Sequence, residues 1–288
     1  AMMSVVYSAA PVFADDVITR TFDAKPEVKI ELILGSCVIE NSDDNKIHVK
    51  IEYTYSDDEF EAVFKERERY VEIEEKLHKG NARGSSSWMV LVPEKTEVDF
   101  NSATGNLRIK AALSEADANS GTGRIEIRNS RGEFELNSGT GRVEVYDSEG
   151  EFDLNSGTGS VLIEKCKGEF EANSGTGKVE ANEITIVDQA DLNSGTGDVE
   201  VRKPMGENFE LYLNSGTNDA FLDMDGEPLK GYFELSAQRY GGKIEAPPGF
   251  SEKQDEGSNG TIRKTYSSGD EMPRYYISTG TGTAELKK

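Results

Sequence analysis

The chain has 288 residues and a net charge of −22, with 35% hydrophobic and 30% charged residues. A chain this acidic repels phosphate backbones, which excludes nucleic acid as a partner. The apolar share is low for a globule with one thick core, so it favours a thin molecule with a narrow core and much surface.

The first 14 residues carry no charge and end in Val12-Phe13-Ala14, directly before two aspartates. This small-x-small pattern is typical of a signal-peptide cleavage site. We therefore predict that residues 1–14 are a signal-peptide remnant and that the protein is exported to the periplasm or the cell surface. A buried first strand is the alternative. No later stretch is long and apolar enough to span a membrane.

Residues 15–100 are predicted to form irregular N-terminal β coils and a cap. Polar and apolar residues alternate over 28–34, 46–55 and 70–77, as in half-buried strands, and WMVLVP (88–93) predicts a short buried strand. The charged segment 57–69 predicts a short helix that starts near Asp57. The two cysteines, Cys37 and Cys166, are too few for a disulfide framework, and whether they pair stays open.

A pentapeptide, Asn-Ser-Gly-Thr-Gly, dominates residues 101–243. It begins at Asn119, Asn137, Asn155, Asn173 and Asn193, with variants at Asn101 and Asn214, so the spacing is 18 residues and later 20 and 21. A fixed period marks a repeat architecture. Each unit contains two short alternating segments between two turns, which leaves no room for a helix. We predict an all-β fold, a parallel β-solenoid with about 18 residues per coil and capped ends.

The repeated residues have a structural interpretation. We expect the inward positions, such as Val143, Val145, Phe152 and Leu154, to stack in columns from coil to coil. We expect the glycines of the pentapeptide to supply positive φ at a sharp corner, and the asparagines to stack their amides in a ladder.

Residues 244–288 are predicted to form a capping hairpin and a last coil. The period is interrupted between 244 and 276, where Pro247-Pro248-Gly249 and Ser268-Gly269 signal turns. A hairpin there would cover the C-terminal end, since an open last coil invites aggregation.

The pentapeptides, the Leu91-Val92-Pro93 strand and the closing Ser278-Thr279-Gly280 together resemble a bacterial putative-adhesin family with "toast-rack" β-repeats. The resemblance covers most of residues 17–288. It implies export and an envelope or surface setting, and it supplies no catalytic residues.

The residues give little sign of catalysis. The only histidines are His48 and His78, and no zinc-protease, paired-cysteine or nucleophile-elbow motif is present. We predict a non-enzymatic protein without a required cofactor. The alternative is a carbohydrate-active β-helix protein that binds or cleaves polysaccharide with paired carboxylates, although the regular coils lack the long loops that build a cleft.

The second strand of each unit directs two columns of side chains outward, and nine of their ten members are acidic. The candidate binding residues are Glu133, Glu135, Glu151, Asp153, Glu169 and Glu171. They form either a solvated face that blocks aggregation or a surface for a divalent cation or a cationic polymer. Calcium suits such columns because it accepts many oxygen ligands in loose geometry. Calcium within the turns is disfavoured, because only Asp198 supplies the aspartate that a calcium β-roll needs after its glycines.

Tyr212 and Phe221 stand at outward positions where other units carry charged residues. They predict a second contact surface for a sugar ring or a partner, unless they pack under the C-terminal hairpin. The predicted function is that of an exported envelope or surface protein, an adhesin or scaffold with a rigid repetitive β surface. Its partner would be a polysaccharide or protein of the envelope or surface.

Overall fold

The computed structural model describes residues 16–80, 82–254 and 260–288, so the predicted signal-peptide remnant lies outside it. The described residues form 27 β-strands and no helix. Sheet A contains β1 (Asp16–Asp23), β3 (Ser36–Asn41), β4 (Lys46–Tyr53), β7 (Ser86–Val92), β9 (Leu107–Lys110), β11 (Ile125–Arg128), β13 (Val143–Tyr146), β15 (Val161–Glu164), β17 (Val179–Asn182), β19 (Val199–Arg202), β21 (Ala220–Asp223), β23 (Lys243–Glu245) and β27 (Thr283–Lys287).

Sheet B contains the other 14 strands. They are β2 (Glu27–Leu32), β5 (Phe60–Glu66), β6 (Tyr70–Leu77), β8 (Glu97–Ser102), β10 (Ala112–Ser120), β12 (Arg131–Ser138), β14 (Glu149–Ser156), β16 (Lys167–Ser174), β18 (Thr185–Ser194), β20 (Glu210–Ser215), β22 (Tyr232–Gln238), β24 (Ser251–Gln254), β25 (Thr261–Ser267) and β26 (Arg274–Thr279).

The two sheets are the two sides of a β-solenoid. Each coil contributes one strand to sheet B and the next strand to sheet A, and neighbouring coils pair in parallel, as β12 with β14 and β13 with β15. Five strands at the ends pair antiparallel, and the remaining strands make 11 coils. At about 4.8 Å a coil, the rod is roughly 50 Å long. The predicted parallel β-solenoid is confirmed.

The core is a narrow stack of identical columns between the sheets. Val143, Val145 and Leu154 are each 0% exposed, and so are their counterparts in the neighbouring coils. The rings of Phe152 and Phe170 stack with centroids 5.4 Å apart, in the column expected for them. Burial of each such side chain stabilises the fold by about 1.5–3 kcal/mol, so four per coil supply the main driving force.

The expected role of the pentapeptide glycines is wrong. Gly139 and Gly141 do not have φ in the left-handed region. They are needed because the coils approach closely at this corner. A Cβ at Gly141 would lie 2.0 Å from the carbonyl oxygen of Gly123, and one at Gly139 would lie 2.4 Å from that of Gly121. Absence of a side chain, rather than backbone freedom, explains the recurrence of glycine.

The left-handed helical conformation, with φ near 50°, occurs at the opposite corner on residues other than glycine. Asn129, Asp147, Lys165, Glu183 and Lys203 all have φ between 48° and 55°. The left-handed conformation costs a side-chain-bearing residue roughly 1–2 kcal/mol, and the paired strands on either side of the corner offset it.

Serine and asparagine link the coils at the pentapeptide corner. The hydroxyl of Ser138 accepts a hydrogen bond from the Gly141 amide (2.9 Å) and donates to the carbonyl of Gly123 in the preceding coil (3.0 Å). Asn173 donates its amide to Asn155 Oδ1, and Asn193 donates to Asn173 Oδ1, both at 3.1 Å. The expected asparagine ladder is therefore present over these coils.

The predicted helix over 57–69 is wrong, because most of that segment is strand β5. Phe60 and Phe64 are spaced for a helix face, but with Ala62 they also alternate as in a strand. Antiparallel pairing with β6 places Phe60 opposite Leu77 and Phe64 opposite Ile73. The hydrogen bonds of this hairpin satisfy the backbone, and the rings cover the N-terminal end of the core.

The longer repeats have local causes. In the 20-residue unit, β18 bulges, and Val187, Asp188 and Gln189 occupy the space of a single residue of β16. In the 21-residue unit, the loop between β19 and β20 is longer than its counterparts in the repeats from β9 to β18, which are one residue or two. Both insertions leave the buried columns in register.

Chain order and spatial order differ at both ends. The coil of β2 and β3 lies between the coils of β6–β7 and β8–β9. At the other end, the coil of β26 and β27, the last in sequence, lies between the coils of β20–β21 and β22–β23. The antiparallel strands β25 and β24 continue sheet B beyond β22. Cys37 and Cys166 are both buried and unpaired.

Candidate functional site

The six predicted acidic residues lie together on sheet B. They occupy the adjacent strands β12, β14 and β16, whose registers align Glu133, Glu151 and Glu169 in one column. Glu135, Asp153 and Glu171 form the second column. We call these two columns, with their continuations on neighbouring strands, the acidic face. Because strands are about 4.8 Å apart, each of these carboxylates except Glu169 has another as its neighbour on both adjacent strands, since β18 bulges beside Glu169.

An open groove of about 390 Å³ runs between the columns. The carboxylates form its sides, and the edges of the Phe134, Phe152 and Phe170 rings contribute to its floor. Asp188, which the β18 bulge pushes outward, lies at one end of it. The groove is therefore strongly negative along its length, with an apolar strip beneath.

Within the described residues, no lysine, arginine or histidine forms an ion pair with any of these six carboxylates. The hydrogen-bond donors to the second column are instead the pentapeptide asparagines. Asn155 donates to Asp153 (2.7 Å), and Asn173 donates to Glu171 (3.2 Å). The face thus carries repeated negative charge that nothing in its own sheet neutralises.

The acidic face extends beyond the six predicted residues, to strands β10 and β8. Glu97 and Asp99 of β8 are in register with Glu115 and Asp117 of β10. The signal was available, because EVDF before the variant at Asn101 has the same alternation as EFDL before Asn155. The face ends where Lys29 of β2 lies 3.5 Å from Asp99.

Two carboxyl groups near the start of the acidic face have raised pKa values. Burial raises the pKa of Glu115, and the neighbouring charges of Glu97 and Glu133 raise it further. Burial also raises the pKa of Asp117, and the charge of Glu135 adds to this, although a hydrogen bond from Asn119 opposes it. Both groups therefore hold a proton more tightly in the folded protein than in water.

Sheet A is compensated where sheet B is not. Arg124 lies 3.7 Å from Glu144, and Lys178 lies 2.7 Å from Glu180. Glu126, only 3% exposed, accepts hydrogen bonds from Arg128 and Arg108. Burial alone would raise its pKa, but these two guanidinium groups hold the pKa below its usual value. Acidic residues at equivalent positions of the two sheets thus have opposite surroundings.

Tyr212 and Phe221 do not form one surface, contrary to the prediction. Tyr212 lies on the outer side of sheet B and Phe221 on that of sheet A, because a corner of the coil separates them. The Tyr212 ring stacks on Tyr276, with centroids 4.7 Å apart and planes at 7°. Phe221 instead lies 5.8 Å from the Arg202 guanidinium. Only Tyr212 is in an aromatic cluster.

One acidic group has the spacing of metal ligands. Carboxylate oxygens of Glu31, Glu72 and Glu74 lie within 4.8 Å of one another. The Lys65 ammonium contacts both Glu72 and Glu74, and Lys76 lies 3.3 Å from Glu74. The hydrogen bond from Lys65 holds the pKa of Glu74 well below its usual value. The two lysines already offset the charges of Glu72 and Glu74.

The two histidines are apart and engaged with separate carboxylates. His48 of β4 lies 2.7 Å from Asp44, and His78, which follows β6, lies 3.3 Å from Glu61. They lie on different sides of the solenoid, since β4 belongs to sheet A and β6 to sheet B. Within the described ranges, no helix is long and apolar enough to cross a lipid bilayer.

The family model of Toastrack DUF4097 matches residues 28–270. Because this match spans most of the chain, the protein belongs to the Toastrack family, which confirms the resemblance drawn from the pentapeptides. No curated protein sequence matches the chain.

Two solved structures are similar to the chain. A "putative cell adhesion protein" from Clostridium sporogenes is 15% identical, with a TM-score of 0.28, over 94% of this chain and 99% of that one. A "putative adhesin" from Parabacteroides distasonis is 13% identical, with a TM-score of 0.36, over 94% of this chain and 97% of that one.

Proposed function

We propose that this protein is an exported, non-enzymatic envelope or surface protein, an adhesin or scaffold that acts through its rigid repetitive β surface. The observation that carries the proposal is the acidic face, where carboxylates repeat in register without cationic partners in the described chain. A partner with repeated positive groups would meet the same contact at each coil. Binding would then gain from multivalency, because each contact after the first is intramolecular.

The energetics support an external partner. Like charges on neighbouring strands destabilise a sheet by a few tenths of a kcal/mol or more for each pair. The raised pKa values of Glu115 and Asp117 are consistent with this repulsion. A cationic polymer, a basic protein or calcium ions bound along the groove would relieve it, and the folded state would be stabilised in proportion to binding.

Replacement of Glu133, Glu151 and Glu169 by glutamine tests this proposal. The triple variant removes one whole column while it keeps side-chain size. We expect its affinity for immobilised poly-lysine, measured by biolayer interferometry, to fall roughly tenfold or more, a loss of about 1.4 kcal/mol. The effect should weaken as salt is added, because these carboxylates are exposed.

The matched control carries the same change in net charge at scattered exposed sites, as Glu94→Gln, Glu207→Gln and Glu227→Gln. It should keep nearly full affinity. Equal losses in the two triple variants would mean that poly-lysine responds only to total charge, and the acidic face would then be no more than a solvated surface.

The exported setting is tested by the N-terminus of the protein isolated from the cells that make it. Cleavage after Ala14 would leave Asp15 as the first residue. We expect Edman sequencing of the periplasmic or surface fraction to begin there. Recovery from the cytoplasm with residues 1–14 still attached would overturn this part of the proposal.

A further inference from the structure

The outward columns of sheet B change character at the C-terminal end. After Asp191, the column continues with Tyr212 of β20, Tyr276 of β26 and Glu234 of β22. The adjacent column reads Glu210, Arg274 and Tyr232 on the same strands. Three tyrosines that are distant in sequence thus share one patch, because β26 lies between β20 and β22.

A groove of about 440 Å³ opens on this patch. Tyr232 and Tyr276 line it from the sheet, with Glu234 and Arg274 beside them. The loop that contains Gly269, Asp270 and Glu271 forms the remaining side. Pockets for small ligands usually measure roughly 300–1,000 Å³, so this one has room for one or two sugar rings.

The aromatic rings are held in fixed positions. Tyr276 stacks on Tyr212 on one side, and on the other Tyr232 is inclined to it by 57°, with centroids 6.1 Å apart. The Tyr232 hydroxyl donates to Glu234 Oε2 at 2.9 Å, and the Tyr212 hydroxyl donates to Glu210 Oε2 at 2.5 Å. The two walls of the groove therefore meet at an angle. Because their rings are already held in place, ligand binding costs little additional conformational entropy.

These tyrosines are not needed to hold the hairpin in place. The hairpin packs through its own Tyr266 of β25, whose ring lies 5.3 Å from Phe250 and 6.1 Å from Phe233. The core position of β26 is filled by Tyr275, which is 3% exposed. Tyr212, Tyr232 and Tyr276 all point outward and remain partly exposed, so packing of the core does not explain them.

The polar groups of the groove indicate the class of ligand. The carboxylates of Glu234, Asp270 and Glu271 would repel an anion. A cation would lie beside Arg274 and would have to compete for Glu234 with Arg263, which pairs with it at 3.1 Å. A neutral sugar avoids both penalties, because its hydroxyls donate to the carboxylates and accept from the guanidinium. Its C–H face can also lie against a tyrosine ring.

We propose that this groove is a binding site for a neutral carbohydrate, in which Tyr276 and Tyr232 contact the sugar ring and Glu234 and Arg274 hydrogen-bond its hydroxyls. The site is separate from the part of the acidic face on β12, β14 and β16. It gives the protein a second, directional contact at one end of the rod.

An array of immobilised neutral glycans, probed with the fluorescently labelled protein, tests the site. We expect the protein to bind a subset of the array. Tyr276→Ala should lose at least tenfold in affinity for those glycans, whereas Tyr276→Phe, which keeps the ring, should stay within a few-fold of the parent protein. Glu234→Gln, which keeps the shape of the groove, should also weaken binding.

The matched control is Tyr146→Ala, which removes a partly exposed outward tyrosine from sheet A, where its ring lies 3.9 Å from the Arg128 guanidinium. It should bind glycans like the parent. Absence of binding to every neutral glycan, or equal losses in the Tyr146 and Tyr276 variants, would overturn the proposal. Binding of tetramethylammonium by a protein that binds no glycan would assign a cation site instead. Retained glycan binding in the Glu133, Glu151 and Glu169 triple variant would separate this site from the acidic face.

Discussion

At the scale of single residues, position in the repeat does not fix the behaviour of a carboxylate. Asp117 and Glu126 both point outward from the middle of a coil, nine residues apart. Asp117 faces other acids across the sheet, whereas Glu126 lies between two arginines. The charged form of Asp117 therefore destabilises the folded protein, whereas the charged form of Glu126 stabilises it.

The two residues should respond to pH in opposite directions. The folded-state pKa of Asp117 is raised, so its charge destabilises the fold above that pKa and the cost disappears as the pH falls through it. The folded-state pKa of Glu126 is lowered, so its contribution is present above the unfolded pKa and is lost as the pH falls through the folded value.

We therefore expect Asp117→Asn to melt at a higher temperature than the parent at neutral pH, and the gain to vanish in acid. Glu126→Gln should melt about 2–4 °C lower, or more, at neutral pH, because two arginines lose their partner. Its deficit should shrink only at lower pH. Calorimetry of both variants from pH 7 to pH 3 measures these melting temperatures. If the differences from the parent changed with pH in the same direction for both variants, the surroundings of the carboxylates on the two sheets would not be opposite.

The location of a residue in the fold was predictable where the repeat period alone decides it. The inward columns follow from alternation, so Val143 and Phe152 could be assigned to the core before any coordinates. The reason for the glycines could not be predicted. The sequence shows that glycine recurs at the position of Gly141, but not whether it is needed for a positive φ or for the lack of a side chain. That distinction needs the 2.0 Å distance between its would-be Cβ and the Gly123 carbonyl oxygen.

At the scale of elements, the coil of two strands and two corners is the unit of stability. Each coil contacts mainly the coils before and after it, as in other repeat proteins. The segment that sequence analysis misjudged, 57–69, lies outside the regular coils. There Phe60 and Phe64 fit both periods, and pairing with β6 decides the outcome. The pattern of apolar residues thus predicts secondary structure reliably where it is repeated, and it is ambiguous where it occurs once.

Deletion of one whole coil should be tolerated. Removal of residues 139–156 joins Ser138 to Gly157 at equivalent corner positions and leaves every later strand in its own sheet. We expect the shortened protein to keep its β-sheet circular dichroism and to unfold cooperatively in urea.

Deletion of half a coil, residues 139–147, provides the contrast. It would join one sheet B strand directly to the next and remove the sheet A strand between them. We expect this variant to be unfolded or aggregated, although it loses fewer residues. If the half-coil deletion folded stably, or if the whole-coil deletion unfolded, the coil would not be the unit of stability.

At the scale of the whole molecule, the two long surfaces of the rod have different electrostatic properties. The acidic face could be anticipated from the repeat, since every unit contributes to it in the same way. The tyrosine groove could not, because it depends on Tyr276 being inserted between strands that precede it by about 40–60 residues. Tyr212 and Phe221 were wrongly grouped for the converse reason, since nearness in sequence across a corner places residues on opposite sides.

The inserted terminal coil also has a consequence for the order in which the molecule is completed. In the order of the chain, the strands from β8 to β21 can add to the rod one after another. Strand β22 emerges next but has no parallel neighbour until Arg274–Thr279 has been synthesised. A chain cut short before residue 274 would therefore leave the edge of β20 open and β22 without its parallel neighbour, and both would be easier for a protease to reach.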